Sequence, residues 1–163
     1  MQPIFIDTEE KKSLISRQIF VLNECCKQDI PVISIRHALY GRLDADIFST
    51  IRRFPKDRCM RIKKYFDNAF EQTTLESQLV AFNAKSLLVM GVNACQCVYE
   101  TVESAMSKKY GILTSRDLIG GYFPSSFQGD SMAYQRGIQE WYASRTLFME
   151  THEHIIRSLR GEG

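Results

Sequence analysis

Short apolar runs alternate along this chain with longer segments in which apolar residues recur every three or four positions. The short runs have the length and makeup of strands buried on both faces of a parallel sheet. We predict such strands at 3–6, 31–35, 58–62, 86–90, 112–114 and 145–149. The longer spacing predicts helices at 8–26, 44–53, 75–82, 132–141 and 151–160, and one more with Cys97 in its first turn that ends before Gly111. Strands joined in this way by helices form right-handed βαβ units, which indicates an α/β protein.

The most informative stretch is the βαβ unit that surrounds Cys97. The strand at 86–90 ends at Gly91, a tight turn follows, and the next helix begins with Cys97 in its first turn. Unpaired amides and the helix dipole favour negative charge at a helix start, so a thiolate there is stabilised and becomes a nucleophile near neutral pH. The same amides can hold an oxyanion, and open α/β sheets bind ligands at the carboxyl ends of their strands. The alternative is that Cys97 is a small buried residue without chemistry.

Composition and charge narrow the class of protein. The 163 residues suit a single domain spanning 1–163, and 44% hydrophobic with 25% charged residues is ordinary for a soluble globular protein. A net charge of +2 with interspersed signs gives no reason to expect a nucleic-acid partner. No apolar run reaches the roughly 18 residues of a membrane span, and charged residues at 7–12 interrupt any signal peptide. Five cysteines without paired spacing favour reduced thiols in the cytoplasm and argue against a zinc site.

Three segments leave alternatives open. Residues 118–129 contain two adjacent glycines and Pro124, and we predict a long loop there, where ligand contacts are common. His37 follows the second strand and could bind a ligand, although a lone histidine in that position is more often part of a hydrogen-bonded framework. The aromatic stretch 141–148 fits core packing, or else an apolar contact between subunits.

Four short motifs, in this order, resemble those of the isochorismatase-like cysteine hydrolases, a family that includes isochorismatases, nicotinamidases and carbamoyl-amide hydrolases. In that family an aspartate ends the first strand, and a lysine precedes a small residue, a phenylalanine and a Thr-Leu helix start. A glycine and an aliphatic residue then precede the nucleophilic Cys-Val pair, and a glycine, an apolar strand and an aspartate follow. In this sequence the motifs are Ile4–Asp7, Lys64–Phe70 with Thr74-Leu75, Gly91–Val98 and Gly111–Asp117.

The resemblance implies a three-layer αβα fold, in which a mostly parallel sheet of about six strands has helices on both faces and the site lies at the carboxyl ends of the strands. It implies that Cys97 is the nucleophile, that Asp7 accepts its proton and later returns it or activates water, and that Lys64 is a cation that favours the thiolate. It also implies an oxyanion hole formed by the backbone amides of Asn93 and Cys97, and a cis peptide bond between Val92 and Asn93.

Departures from the family pattern concern the substrate pocket. The segment between His37 and Lys64, which helps to build the pocket in relatives, is short here. It lacks the Asp and His ligands of nicotinamidases, so we expect no metal and no other cofactor. Cys95 is a second thiol in the turn, but only Cys97 is followed by a valine at the right place in the motif. The candidate pocket residues are His37, Phe70 and Tyr122.

These observations favour a metal-independent cysteine hydrolase that cleaves a C–N bond of a small amide or carbamoyl substrate through a thioester. The alternative within the family is an isochorismatase-type vinyl ether hydrolase, which needs an acid more than a thiol. A further alternative is a non-catalytic binding or assembly protein on the same fold, because the pocket segment is short. By analogy we expect a homo-oligomer, a dimer or larger, that binds a small-molecule substrate and neither nucleic acid nor membrane.

Overall fold

The computed structural model of the protein describes residues 8–40, 42–122 and 128–162. The helices in these ranges are α1 (Thr8–Lys27), α2 (Ala45–Ile51), α3 (Leu75–Ala81), α4 (Cys97–Ser107), α5 (Ser131–Arg145) and α6 (His152–Arg160). The strands are β1 (Val32–His37), β2 (Cys59–Lys64), β3 (Ser86–Leu88), β4 (Gly91–Val92), β5 (Gly111–Ser115), β6 (Ile119–Gly120) and β7 (Leu147–Met149). The predicted strand at 3–6 lies outside the described residues.

Every strand pair in the described ranges is parallel, as the βαβ pattern predicts. β1 pairs with β2. β5 pairs with β3 on one side and with β7 on the other, and β4 pairs with β6. Only residues 89–90 separate β3 from β4, and only residues 116–118 separate β5 from β6. The β4–β6 pair therefore continues the β3–β5 pair along the same two segments of the chain.

Apolar helix faces cover the sheet on both sides. On one side α1, α2 and α6 bury Leu22, Ile47 and Ile155 in a common cluster. On the other side α4 and α5 bury Val102 and Tyr142, and α3 packs beside them. Each such aliphatic side chain contributes about 1.5–3 kcal/mol by leaving water. The fold is therefore a three-layer αβα structure, and within the described ranges no helix is long and apolar enough to cross a membrane.

The segment predicted as a long loop at 118–129 contains the strand β6. Leu118 and Ile119 are fully buried or nearly so. A Cβ atom on Gly120 would lie only 2.6 Å from Leu14 Cδ2 of α1, so glycine is required for α1 to pack this closely against β6. Two adjacent glycines favour a turn in a prediction from sequence, but one of them serves packing here, and the prediction of a continuous loop is wrong.

Helix α5 is longer than the predicted 132–141 and fastens the turn that precedes α4. The Asp130 side chain caps the helix, because its Oδ1 accepts hydrogen bonds from the Met132 and Ala133 amides, both at 3.0 Å. Farther along, the fully buried Tyr142 donates a hydrogen bond from its hydroxyl to the Ala94 carbonyl at 2.8 Å. Tyr142 therefore serves core packing, one of the two uses foreseen for the aromatic stretch 141–148.

Candidate active site

The turn between β4 and α4 carries the candidate nucleophile. Cys97 is the first residue of α4, so it lies at the amino terminus of the helix, where the sequence predicts it. Inside the turn the Val98 amide donates to the Asn93 carbonyl at 2.9 Å, and the Ala94 amide donates to the Gly120 carbonyl at 2.8 Å. These bonds fix the turn against β6.

Two backbone amides of this turn are candidate donors to a ligand. In the described ranges, the Asn93 and Cys97 amides donate to no backbone carbonyl outside the helices and strands. The peptide bond between Val92 and Asn93 is cis, the conformation that the resemblance implies. The Asn93 side chain makes a hydrogen bond within the same turn, since its Nδ2 donates to Gln96 Oε1 at 3.3 Å. Unpaired amides beside a nucleophile are the donors that stabilise a tetrahedral oxyanion.

Lys64, the last residue of β2, brings a positive charge to the turn. The residue is only 5% exposed. Its ammonium group donates a hydrogen bond to the Asp67 carbonyl, and its side chain lines the same cavity as Cys97. Burial lowers the pKa of Lys64, whereas the charges of Cys97 and Asp67 act to raise it. The structure therefore brings together the lysine and the cysteine that the sequence singles out, although they are far apart along the chain.

A carboxylate that has no predicted role also contacts the nucleophile. Cys97 Sγ donates a hydrogen bond to Asp67 Oδ1 at 2.9 Å. Asp67 is exposed and lies three residues after Lys64, in the loop that follows β2. The available signal was an acidic residue close behind the motif lysine, but the direction of its side chain cannot be read from the sequence.

The described surroundings raise the pKa of the Cys97 thiol to about 11. Burial is the largest cause, the hydrogen bond to Asp67 adds to it, and the Lys64 ammonium acts in the opposite direction. In these surroundings desolvation of the sulfur outweighs the favourable charges, a direction opposite to the one expected from the helix start. A base that takes the proton at the moment of attack would offset this cost.

Lys64 and Cys97 line a cavity that His37 lines as well. His37 is 6% exposed and lies directly opposite Lys64 in the register of β1 and β2. Its Nδ1 accepts a hydrogen bond from the Leu39 amide at 3.3 Å, and its ring lies 4.4 Å from the ring of Tyr40. His37 therefore borders the site while its ring is held by neighbouring residues.

Phe70 packs against the core and Tyr122 lies within it. Neither is among the described residues that line the cavity beside Cys97. The Phe70 ring stacks on Tyr110 with 6.4 Å between centroids. Tyr122 is 6% exposed, and its hydroxyl donates to the Arg116 carbonyl at 2.9 Å. Large aromatic side chains next to a site are buried in this way whenever the core offers them area and a hydrogen-bond partner.

The remaining predictions for the site concern Asp7, metals and the second thiol. Asp7 lies outside the described residues, so its role stays a prediction. In the ranges that the structure describes, no group of three or more His, Cys, Asp or Glu side chains is arranged to hold a metal ion. The Cys95 thiol hydrogen-bonds with the Gly121 carbonyl at 3.4 Å, and burial raises its pKa.

Comparison with known proteins identifies the family and the fold. Residues 1–139 match the family model of the isochorismatase domain, and no curated protein matches the chain. A cysteine hydrolase from Pseudomonas syringae pv. phaseolicola 1448A superposes with a TM-score of 0.77 at 17% identity, over 100% of this chain and 90% of its own. A nicotinamidase from Staphylococcus aureus gives 0.72 at 16%, over 85% and 83%. An N-carbamoylsarcosine amidase from Thermoplasma acidophilum gives 0.66 at 16%, over 88% and 86%. At these identities the solved structures establish a common fold.

Proposed function

Because this chain belongs to the isochorismatase family of hydrolases, we propose that it is a metal-independent cysteine hydrolase that cleaves a C–N bond of a small amide or carbamoyl compound. The observation that carries the proposal is the buried Lys64 ammonium, which lines the same cavity as Cys97 at the start of α4. The amides of Asn93 and Cys97 donate to no backbone carbonyl outside the helices and strands of the described ranges. Two proteins of the same fold are named for amide chemistry, a nicotinamidase and an N-carbamoylsarcosine amidase.

The reaction proceeds through a thioester on Cys97. The sulfur attacks the carbonyl carbon while its proton passes to a carboxylate, and the carbonyl oxygen becomes an oxyanion held by the amides of Asn93 and Cys97. Collapse of this adduct breaks the C–N bond, and the departing nitrogen takes up the proton. Water then hydrolyses the thioester and regenerates the thiol. Lys64 supplies the positive charge that favours the sulfur anion during attack.

Asp7 is the acid–base group in this proposal, following the family pattern. It directly precedes α1, and the first turn of α1 lies at the carboxyl edge of the sheet. There, Glu10 Oε1 is 3.2 Å from the position of a Cβ atom on Gly120, the last residue of β6. The turn before Cys97 is bonded to the same glycine. The position of the first turn of α1 at this edge supports a role for Asp7 in the reaction of Cys97.

The test is ammonia release from a panel of small primary amides and N-carbamoyl compounds. We expect Cys97→Ala to lower turnover by at least about 1,000-fold, because no other group can form the thioester. The matched control is Cys95→Ala, which removes a thiol two residues away and should keep wild-type turnover. Turnover that survives both Cys97→Ala and alkylation of Cys97 would refute a cysteine mechanism.

A vinyl ether hydrolase is the second candidate, and one observation favours it. A Cys97 pKa of about 11 keeps the sulfur protonated near neutral pH, which suits a reaction that depends on a carboxylic acid. This alternative predicts that Asp7→Asn abolishes cleavage of a vinyl ether such as isochorismate, while Cys97→Ala has a small effect. The opposite ranking of the two variants on amides would favour C–N cleavage.

A non-catalytic protein on this fold and a homo-oligomeric assembly stay as predictions with their own tests. A binding or assembly protein would show Cys97 no more reactive toward a thiol probe than Cys25 or Cys59 near neutral pH. The mass of the protein in solution, from light scattering after size exclusion, measures the assembly directly, and a monomer would contradict the expectation drawn from relatives.

A further inference from the structure

We propose that Asp67 is a second catalytic carboxylate of this site, which accepts the proton of the Cys97 thiol and delivers it to the leaving nitrogen. The inference deepens the proposed amide hydrolysis and rests on it. It is carried by the hydrogen bond of 2.9 Å from Cys97 Sγ to Asp67 Oδ1. That contact already has the geometry of a proton transfer, with the thiol as donor and the carboxylate as acceptor.

The loop that carries Asp67 is fastened to the helix that carries the nucleophile. Asn68 Nδ2 donates to Ser104 Oγ at 2.8 Å, and the Ala69 amide donates to Thr101 Oγ1 at 3.0 Å. Thr101 and Ser104 lie one and two turns beyond the first residue of α4, on the same side of the helix. Asp67 is therefore positioned by bonds from the next two residues, so little reorganisation is needed before the reaction.

The Asp67 carboxylate lies beside two sources of positive charge. The amino terminus of α4 favours a negative charge beside it, and the buried Lys64 ammonium donates to the backbone carbonyl of the same residue. Asp67 is exposed, so its carboxylate can exchange protons with solvent. The buried Lys64 is less accessible to solvent. The thiol needs such an acceptor, because burial keeps the sulfur protonated near neutral pH.

Attack by Cys97 forms one S–C bond and transfers one proton to Asp67. The S–H bond of Cys97 breaks, its electron pair forms the S–C bond, and the proton moves to Asp67 Oδ1, while the π electrons of the carbonyl move to the oxygen. When the C=O bond re-forms, the C–N bond breaks and the nitrogen takes the proton from the Asp67 carboxylic acid. The amine leaves neutral, Asp67 is a carboxylate again, and Asp7 remains available to activate water for hydrolysis of the thioester.

Two reactions measured on the same variants test this role, because Asp67 affects each of them differently. Alkylation of Cys97 by iodoacetamide, followed by mass spectrometry at that residue, needs only the thiolate. Amide turnover also needs delivery of a proton to the leaving nitrogen. Asp67→Asn keeps the size of the side chain and a hydrogen-bond acceptor but removes the negative charge and the base that could take the proton. Glu71→Gln is the matched control, because Glu71 is an exposed acid in the same loop.

We expect the two rates of Asp67→Asn to move in opposite directions. If the thiol pKa falls by one unit, the thiolate fraction rises tenfold and its nucleophilicity falls about threefold, so alkylation at pH 7.5 should rise about threefold. Amide kcat/KM should fall at least about 100-fold, the usual share of a general acid–base group. Asp67→Glu should recover part of the turnover, and Glu71→Gln should match wild type in both assays.

Other outcomes overturn the inference. Unchanged alkylation in Asp67→Asn would mean that the carboxylate does not hold the thiol. Unchanged or faster amide turnover would mean that Asp67 only suppresses the thiolate and that Asp7 serves alone. A parallel loss of both rates, with a lower melting temperature, would indicate a structural role. If wild type releases no ammonia from any amide, the proposed function fails, and proton delivery by Asp67 fails with it, whereas faster alkylation would still support the contact with the thiol.

Discussion

Replacing Lys64 by methionine distinguishes the two roles that a buried ammonium can have. Removing one partner of a structural buried ion pair costs about 3–5 kcal/mol, because the other charge is left uncompensated. A buried lysine that serves the chemistry has lost its hydration, and the surrounding charges do not fully make up for that loss. Its removal therefore lowers the free energy of unfolding only slightly. Lys64 belongs to the second kind, because it is 5% exposed and burial lowers its pKa more than Cys97 and Asp67 raise it.

The magnitude follows from two opposing terms. Each unit by which the Lys64 pKa is lowered corresponds to about 1.4 kcal/mol of stability that methionine would restore. Methionine also loses the hydrogen bond to the Asp67 carbonyl, which contributes about 1.5–3 kcal/mol when the donor is charged. The two contributions have opposite signs, so we expect the free energy of unfolding at pH 7 to fall by less than the about 3–5 kcal/mol that the loss of one partner of a structural ion pair costs.

The pH dependence has a definite sign. Because the folded-state pKa of Lys64 lies below the ordinary value of 10.5, the unfolded state binds more protons between these two values. Wild type should therefore become more stable, relative to Lys64→Met, as the pH rises through the folded-state pKa toward 10.5. Urea unfolding at neutral and alkaline pH measures this difference.

The variant should also slow the chemistry of Cys97. Loss of the ammonium removes the influence that lowers the thiol pKa, so alkylation should slow about threefold for each unit by which that pKa rises. Lys63→Met is the matched control, because Lys63 is the adjacent residue of β2 and is exposed. A loss of more than about 3 kcal/mol in Lys64→Met, or alkylation equal to wild type, would refute the argument.

Two further variants test the framework of the site and of the helices. Tyr142→Phe removes the donor to the buried Ala94 carbonyl in the nucleophile turn and should lower the free energy of unfolding by about 1–3 kcal/mol, measured by urea unfolding; an unchanged midpoint would contradict this. Glu24 has a pKa lowered to about 2, chiefly by the two hydrogen bonds from the Arg160 guanidinium. Its stabilising contribution is complete above the ordinary pKa of 4.5 and disappears as the pH falls toward 2. Glu24→Gln should therefore lose less stability than wild type between pH 5 and pH 2, and parallel acid-unfolding curves would count against the ion pair.

The elements that could be predicted are those whose signal is local. Helix α1 begins at the predicted Thr8, and α4 has Cys97 in its first turn, as predicted. Both predictions depend on apolar spacing and turn residues that are close together in the sequence. Strand β6 could not be predicted in this way. Its glycine is explained only by the approach of Leu14, more than a hundred positions away in the chain.

The candidate site likewise has some features that the sequence predicts and others that depend on the tertiary structure. Motif order marked Lys64 and Cys97, and the structure brings their side chains together. The direction of the thiol pKa depends on how much water the fold removes from the sulfur, and the contact with Asp67 depends on the path of a loop. Phe70 was assigned to the pocket from its motif, but its ring faces Tyr110. Side-chain direction and desolvation belong to the tertiary structure, so residue order alone does not determine them.

The two hydrogen bonds from Asn68 and Ala69 tie the loop that carries Asp67 to α4. A small displacement of α4 that keeps these bonds would carry the sulfur and the carboxylate together, so their separation would be preserved. Lys64 is attached to β2 instead, so the same displacement would change the distances from its ammonium to the sulfur and to the Asp67 carbonyl. A ligand that shifts the helix by a fraction of an ångström could therefore tune the acidity of the thiol without disturbing the route of its proton.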